Sequence, residues 1–312
     1  MTENTPKVLI ATVKPFSAEA KEAVVARLEG AGFRVEVLEK YPDESALLAS
    51  IADAHAVICR SDKIHAGVLE AAKQLKLVVR AGAGFDNVDC ATAKAKDVAV
   101  MNTPGQNSNA VAELAFGMMI YLCRGGFNGK PGTELRGKTL GIHALGNVGK
   151  NVLRLAKGFE MQVSAFDPFL DAAAIEALGA KPVDSAEALY ASCEYVSLHI
   201  PNTPETKGSI GEKLLTSMPE GGTLVNTARA EVIDEAGLLA AMKARPDLRY
   251  ISDIPPSTET RASLEADFAG RCFLTPKKMG AQTAEANYNA GMAAADQIIG
   301  FLKRGERVNV VN

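Results

Sequence analysis

Short apolar runs recur along this chain, each separated from the next by a stretch with helical spacing. That alternation is what most restricts the fold, because neighbouring parallel strands need a crossover connection and a helix usually supplies it. Lys7-Val8-Leu9-Ile10-Ala11 reads as a first buried strand, and Ser17 caps a helix that runs to Leu28 and closes at Gly30 and Gly32. Strands at Arg34–Leu38, Ala56–Cys59, Lys76–Arg80 and Val98–Met101 complete one α/β unit. A long apolar helix over Asn109–Cys123 follows, then the glycine-rich stretch Arg124–Gly132, which reads as a connecting loop near a domain boundary. A second series of strands occupies Thr139–Ala144, Gln162–Phe166, Tyr195–His199, Thr223–Asn226, Tyr250–Ser252 and Cys272–Leu274.

The last helix, Ala284–Lys303, carries small residues that permit close packing, and its place at the chain end implies a return to the first domain. At 312 residues the chain exceeds one small core. The expectation is therefore an α/β protein of two doubly wound parallel-sheet (Rossmann-like) domains with an active-site cleft between them. The first takes residues 1–104 plus 285–312, and the second, the cofactor domain, takes 105–284.

Composition bounds the partners. A formal net charge of −3 gives no basic field for nucleic acid, and no apolar run reaches membrane-spanning length. The polar opening Met1–Lys7 lacks a signal core. Five singly scattered cysteines without a C-x-x-C pair imply neither a disulfide framework nor a metal site. They suit a reducing compartment, so a cytoplasmic protein is expected.

Ala144-Leu145-Gly146-Asn147-Val148-Gly149 follows one of these strands and opens a helix. It is a G-x-G-x-x-G fingerprint with alanine in first place. Small residues let the backbone turn tightly and approach a pyrophosphate, and the helix N-terminus supplies N–H groups for the anion. Asp167 ends the next strand, where a carboxylate accepts a ribose 2′-hydroxyl and repels a 2′-phosphate. The cofactor expected is NAD.

With these segments in order, the chain resembles the D-isomer-specific 2-hydroxyacid dehydrogenases over nearly its whole length. The resemblance rests on Arg80–Asp89, Asn102–Ser108, the nucleotide loop, Ser197–Pro201, Val225–Arg229 and Thr275-Pro276. Within the family it points to the branch that oxidises 3-phosphoglycerate at the start of serine synthesis. The chain ends at Asn312, so the C-terminal regulatory domains of longer members are expected to be missing.

The resemblance implies roles residue by residue. Arg229 would clamp the substrate carboxylate and polarise the 2-keto oxygen, as a planar, permanently charged fork can. Gly82, Ala83 and Gly84 would offer backbone N–H groups to the carboxylate, with Asn107 nearby. His199, Ile200, Pro201, Thr206, Thr227, Ala228, Asp253 and Gly280 would lie along the cofactor with Gly146, Asn147, Val148, Gly149 and Asp167.

The chain departs from the family at the proton-transfer residue. Ordinary members pair a histidine with a glutamate, but all four histidines here lie upstream of Thr275-Pro276-Lys277-Lys278-Met279-Gly280-Ala281. Counting forward from Thr275-Pro276 selects Lys277 for that role, and counting back from Gly280-Ala281 selects Lys278. The glutamate position holds Thr258, with Glu259 one place late. The joint change is chemically consistent: a histidine of pKa about 6.5 needs a carboxylate to stay charged at neutral pH, whereas a lysine of about 10.4 does not. A lysine-type branch of the family fits this pattern.

A phosphorylated 2-hydroxy or 2-keto acid needs further cations. Arg60, Ser61, Lys63 and Arg80 sit on loops after first-domain strands and are the expected phosphate site, with Lys14 a further candidate. Alternative readings are a glyoxylate or hydroxypyruvate reductase, and a non-enzymatic NAD(H)-sensing binding module. The apolar helix Asn109–Cys123 suggests pairing of two subunits, hence a homodimer.

Overall fold

The computed structural model describes residues 5–312. The chain divides into two compact units, one running up to Asn107 and resuming at Ala281–Asn312, the other Ser108–Gly280. The divisions fall a few residues from 104/105 and 284/285, and the glycine-rich stretch after Cys123 lies wholly inside the second unit.

In the first unit the elements are β1 (Lys7–Thr12), α1 (Ala18–Gly30), β2 (Arg34–Glu39), α2 (Glu44–Ile51), β3 (Ala56–Cys59), α3 (Ala66–Ala71), β4 (Leu77–Arg80), α4 (Cys90–Ala95) and β5 (Ala99–Asn102). The strands form a parallel sheet in the order β2-β1-β3-β4-β5. Covering both faces of such a sheet explains the continuous apolar strands. Val8 and Ile10 of β1 enter one core, while Leu9 and Ala11 enter the other. Ser17 caps α1 as its sequence requires, accepting the Ala20 N–H.

The second unit contains α5 (Ser108–Cys123), a 3₁₀ turn (Gly125–Phe127), β6 (Thr139–His143), α6 (Asn147–Gly158), β7 (Gln162–Phe166), α7 (Ala172–Leu178), β8 (Lys181–Pro182), α8 (Ala186–Ser192) and β9 (Tyr195–Leu198). It continues with α9 (Glu212–Thr216), β10 (Thr223–Asn226), α10 (Glu235–Ala244), β11 (Arg249–Ser252), α11 (Thr258–Asp267) and β12 (Cys272–Leu274). Its seven parallel strands lie in the order β12-β11-β10-β9-β6-β7-β8. The strand order reverses between β6 and β9, which pair through Leu140↔Tyr195 to His143↔Leu198. In doubly wound sheets that reversal opens a crevice at the strands' C-terminal ends.

The chain then returns to the first unit as α12 (Ala284–Arg304). Small residues allow this helix to lie close on α1: a Cβ on Gly291 would stand 2.9 Å from Val24 Cγ2. The tail after α12 closes the free edge of β5. Met101 and Val310 form an antiparallel bridge, and Val311 N–H donates to Val100 O. The side-chain amide of Asn312 continues the ladder like a peptide unit. Its Oδ1 accepts Val100 N–H at 2.9 Å and its Nδ2 donates to Val98 O at 2.8 Å.

Candidate active site

In the second unit, the turn between β6 and α6 is built for a close backbone approach. Ala144 sits at φ 81°, the left-handed region that favours glycine. Its carbonyl lies so close to Gly149 that a Cβ there would stand 2.2 Å from the oxygen. Only glycine fits in that last place. Gly146 caps α6 with extended backbone and no side-chain bond, and nothing lies within 4 Å of where its Cβ would be. The exposed Gly146 and Asn147, with Val148, thus present a bare helix N-terminus.

Asp167 closes this turn from β7. Its Oδ2 accepts Leu145 N–H at 2.8 Å and its Oδ1 accepts Phe169 N–H at 2.9 Å. A carboxylate offers about four acceptor positions, so capacity remains for a ribose hydroxyl. The bare N-terminus, the glycine contact and the acid together fit a dinucleotide.

Across the strand-order reversal, His199 follows β9 and its N–H donates to His143 O at 3.0 Å. Burial pushes His199 down to about 3, with His143 adding to the shift. Burial also lowers His143 to about 4, although Asp167 opposes it. Both rings are therefore neutral near pH 7, and among the described residues neither His199 Nε2 nor His143 Nδ1 has a hydrogen-bond partner. Ile200 is buried and Pro201 exposed. Thr206 Oγ1 donates to Pro201 O at 2.6 Å and accepts Thr203 N–H, so this hydroxyl shapes its own loop.

After β10, Asn226 folds the Asn-Thr-Ala-Arg loop onto itself. Its Oδ1 accepts Ala228 N–H at 2.9 Å, and its Nδ2 donates to Arg229 O at 3.1 Å. Thr227 and Ala228 are buried, whereas Arg229 is half-buried. One Arg229 nitrogen donates to Ala228 O at 2.9 Å, leaving most of the fork's donors for a ligand.

The lysine segment is held by Asp253, which is 2% exposed. Asp253 Oδ1 accepts Met279 N–H at 2.9 Å and Oδ2 accepts Gly280 N–H at 2.8 Å. Thr275 Oγ1 lies 3.0 Å from Asp253 Oδ1 and 3.0 Å from Lys277 O. Lys277 and Lys278 are both exposed between these anchors. Glu259 sits exposed in the first turn of α11. The carboxylate that is engaged there belongs to Glu235, which accepts Ser257 N–H and takes the Ser257 and Thr260 hydroxyls.

In the first unit the expected cations are distributed over two places. Arg60 donates to Lys14 O at 2.9 Å, to Pro15 O at 2.8 Å and to Asn287 Oδ1 of α12, with its guanidinium over the Phe16 ring. Burial, then the neighbouring Arg80 cation, lowers its pKa. The Arg80 guanidinium reaches the Gly82 Cα, where any Cβ would collide with it. Ser61 and Lys63 instead line a surface cavity of about 460 Å³ with His65, Asp86, Asn87, Val88 and Asp89. Gly82 is buried and its N–H donates to Arg80 O at 2.8 Å, Ala83 is exposed and Gly84 half-buried, while Asn107 is the last residue of this unit's first segment.

Three residues escaped the sequence reading in these roles. Asp253, expected along the cofactor, also ties down segment 275–280 with its buried carboxylate. Asn287 braces Arg60 from 227 positions away, and no local pattern reveals that pairing. Asn102 donates to Ala83 O at 2.6 Å, and its place at the end of β5, just before Thr103-Pro104, was the available signal.

Known proteins similar to this chain share its fold and its cofactor domain. Residues 116–276 match the family described as D-isomer specific 2-hydroxyacid dehydrogenase, NAD binding domain. A D-3-phosphoglycerate dehydrogenase of Archaeoglobus fulgidus is 36% identical over 98% of this chain, which spans 59% of that protein. A hydroxypyruvate reductase of Thermotoga maritima is 33% identical over 91% of this chain and 95% of its own length. The crystal structure of NAD+-bound 3-phosphoglycerate dehydrogenase from Entamoeba histolytica superposes with a TM-score of 0.88 at 44% identity, covering 99% of both chains.

The fold and its nucleotide turn are those of a dinucleotide-binding α/β protein. The chain belongs to the D-isomer specific 2-hydroxyacid dehydrogenases.

Proposed function

We propose that this protein is an NAD-dependent dehydrogenase that interconverts 3-phosphoglycerate and 3-phosphohydroxypyruvate. The observation that carries the reading is the Arg60–Arg80 pair beside the Gly82–Gly84 loop. Burial lowers the pKa of Arg60 most and the Arg80 cation lowers it further, with Asp62 opposing, so two cations stand close enough to interact where a dianionic phosphate would meet both. The archaeal and amoebal relatives named for this activity support the same choice.

NAD, when bound, supplies the hydride-accepting ring. The chain's residues do the rest. Gly146–Gly149 and Asp167 hold the dinucleotide, and Arg229 holds the substrate carboxylate through its unused donors. In the first unit, the Ala83 and Gly84 N–H groups suit a carboxylate. In oxidation, Lys277 or Lys278 takes the proton from the 2-hydroxyl oxygen, and in reduction its ammonium returns a proton to the 2-keto oxygen. No glutamate partner is needed to keep a lysine charged.

The T. maritima relative favours a second reading, reduction of hydroxypyruvate or glyoxylate. NADH oxidation with 3-phosphohydroxypyruvate, hydroxypyruvate and glyoxylate, for wild type and Arg60→Ala, separates the two. The first reading requires kcat/KM to be highest for the phosphorylated acid and to fall at least 10-fold more for it than for glyoxylate. An equal fall for all three would favour the reductase, and no turnover with NADH bound would favour the sensing module. A homodimer formed through α5 and a cytoplasmic location belong to the same proposal. Among the described residues, no helix is long and apolar enough to cross a membrane.

A further inference from the structure

Beneath the Gly82–Ala83–Gly84 loop the first unit provides a fixed set of donors. Ala81 N–H donates to Cys59 O at 2.8 Å, which starts the loop in line with the sheet. Thr103 N–H donates to Gly82 O at 2.9 Å, and Asn102 Nδ2 donates to Ala83 O at 2.6 Å. Two consecutive loop carbonyls are thus drawn towards the end of β5.

A trans peptide is planar, with its C=O and N–H pointing in opposite directions. Holding Gly82 O inward therefore turns Ala83 N–H outward, and holding Ala83 O inward turns Gly84 N–H outward. Among the described residues neither N–H has a protein acceptor. Thr103 contributes a backbone N–H that any residue but proline would carry. Asn102 contributes a side chain, so only this half of the device is specified by residue type.

Asn102 is itself clamped. It is 8% exposed, its carbonyl accepts Gln297 Nε2 of α12 at 2.9 Å, and its N–H donates to Asn309 O of the tail at 3.3 Å. A buried residue held at its carbonyl, its N–H and its side-chain amide is unlike a solvated polar residue at a strand end.

We infer that Asn102 is a positioning residue for substrate binding, orienting the Ala83–Gly84 peptide so that Gly84 N–H, beside Ala83 N–H, meets the substrate carboxylate. The inference rests on the proposed dehydrogenase reading and extends it to a residue that does not touch substrate.

The test compares Asn102→Ala and Asn102→Asp with Val24→Ala, a core variant in α1 of the same unit. Asn102→Asp keeps the shape, but its carboxylate cannot donate to Ala83 O near pH 7, so it covers the case in which alanine fails to fold. Both Asn102 variants should raise KM for 3-phosphohydroxypyruvate about 10-fold, with kcat within about threefold of wild type and NADH affinity unchanged. Val24→Ala should lower Tm without moving KM. An Asn102 variant with lowered Tm and wild-type KM would overturn the inference while leaving the dehydrogenase reading intact. If wild type turns over no 2-keto acid, that reading fails, and amide hydrogen exchange then decides the point. Exchange at Gly84 should quicken in Asn102→Asp but not in Val24→Ala, and equal exchange in both would refute the role.

Discussion

Asp253 and Gly280 are joined by a hydrogen bond of 2.8 Å from the Gly280 N–H to a carboxylate oxygen, across 27 positions of sequence. With the Met279 bond on the other oxygen, the carboxylate acts as a clamp that fixes where the lysine segment ends. Asparagine at position 253 would turn an NH₂ group towards one of those N–H donors. Asp253→Asn should cost about 1–3 kcal/mol, the penalty of a buried donor left unsatisfied. Chemical denaturation measures it. Turnover should fall further than NADH affinity, because the nucleotide turn at Gly146–Gly149 is untouched.

The two lysines make opposite predictions. Lys277→Ala and Lys278→Ala should differ, with one losing on the order of 10²- to 10⁴-fold in kcat, the usual worth of a positioned acid–base group. The other should stay within a few-fold of wild type. Equal, small effects in both would remove lysine from the proton transfer and send the search to water or another side chain.

Ala144 occupies a backbone conformation that costs an L-residue about 1–2 kcal/mol. Ala144→Gly removes that strain, although the added freedom of the unfolded chain takes back part of the gain. A net stabilisation of about 0.5–1 kcal/mol is expected from urea midpoints, with NADH affinity equal or better. Loss of stability would mean that the methyl group packs usefully against its neighbours.

Two neutral histidines in the nucleotide domain make stability depend on pH. Their ordinary value is 6.5, and burial lowers His143 to about 4 and His199 to about 3. The unfolded chain therefore binds protons first as the solution is acidified. Their contribution is complete above pH 6.5 and is lost progressively as pH falls towards 4 and then 3. Each adds a slope of up to about 1.4 kcal/mol per pH unit inside its window. His143→Leu should roughly halve the slope between pH 4.5 and 6. An unchanged slope would show that acid acts elsewhere.

Strands were the most legible elements, because parallel sheets buried on both faces leave continuous apolar runs in the sequence. Ala56–Cys59, Gln162–Phe166, Thr223–Asn226 and Cys272–Leu274 are read at their observed bounds. The edge strand Lys181–Pro182 was missed, since two residues make no periodic signal. At the site, residues acting through local backbone geometry were visible: the Ala144–Gly149 turn depends on small side chains close in sequence. Groups acting at long range were not. Asp253 holding Gly280, Asn287 bracing Arg60 and Asn102 holding Ala83 depend on where separate strands and helices end, which only the folded chain specifies.

The ladder made by Val310, Val311 and the Asn312 amide has a meaning for solubility. An uncovered margin of parallel sheet is a template on which a second molecule can add its own strand. Here the chain's last residues occupy that margin along Val98–Asn102. A version clipped before Val308 would keep most of its core, yet it would show a row of unsatisfied peptide groups to its neighbours. Such a molecule should fail first by clumping at high concentration, well before it melts.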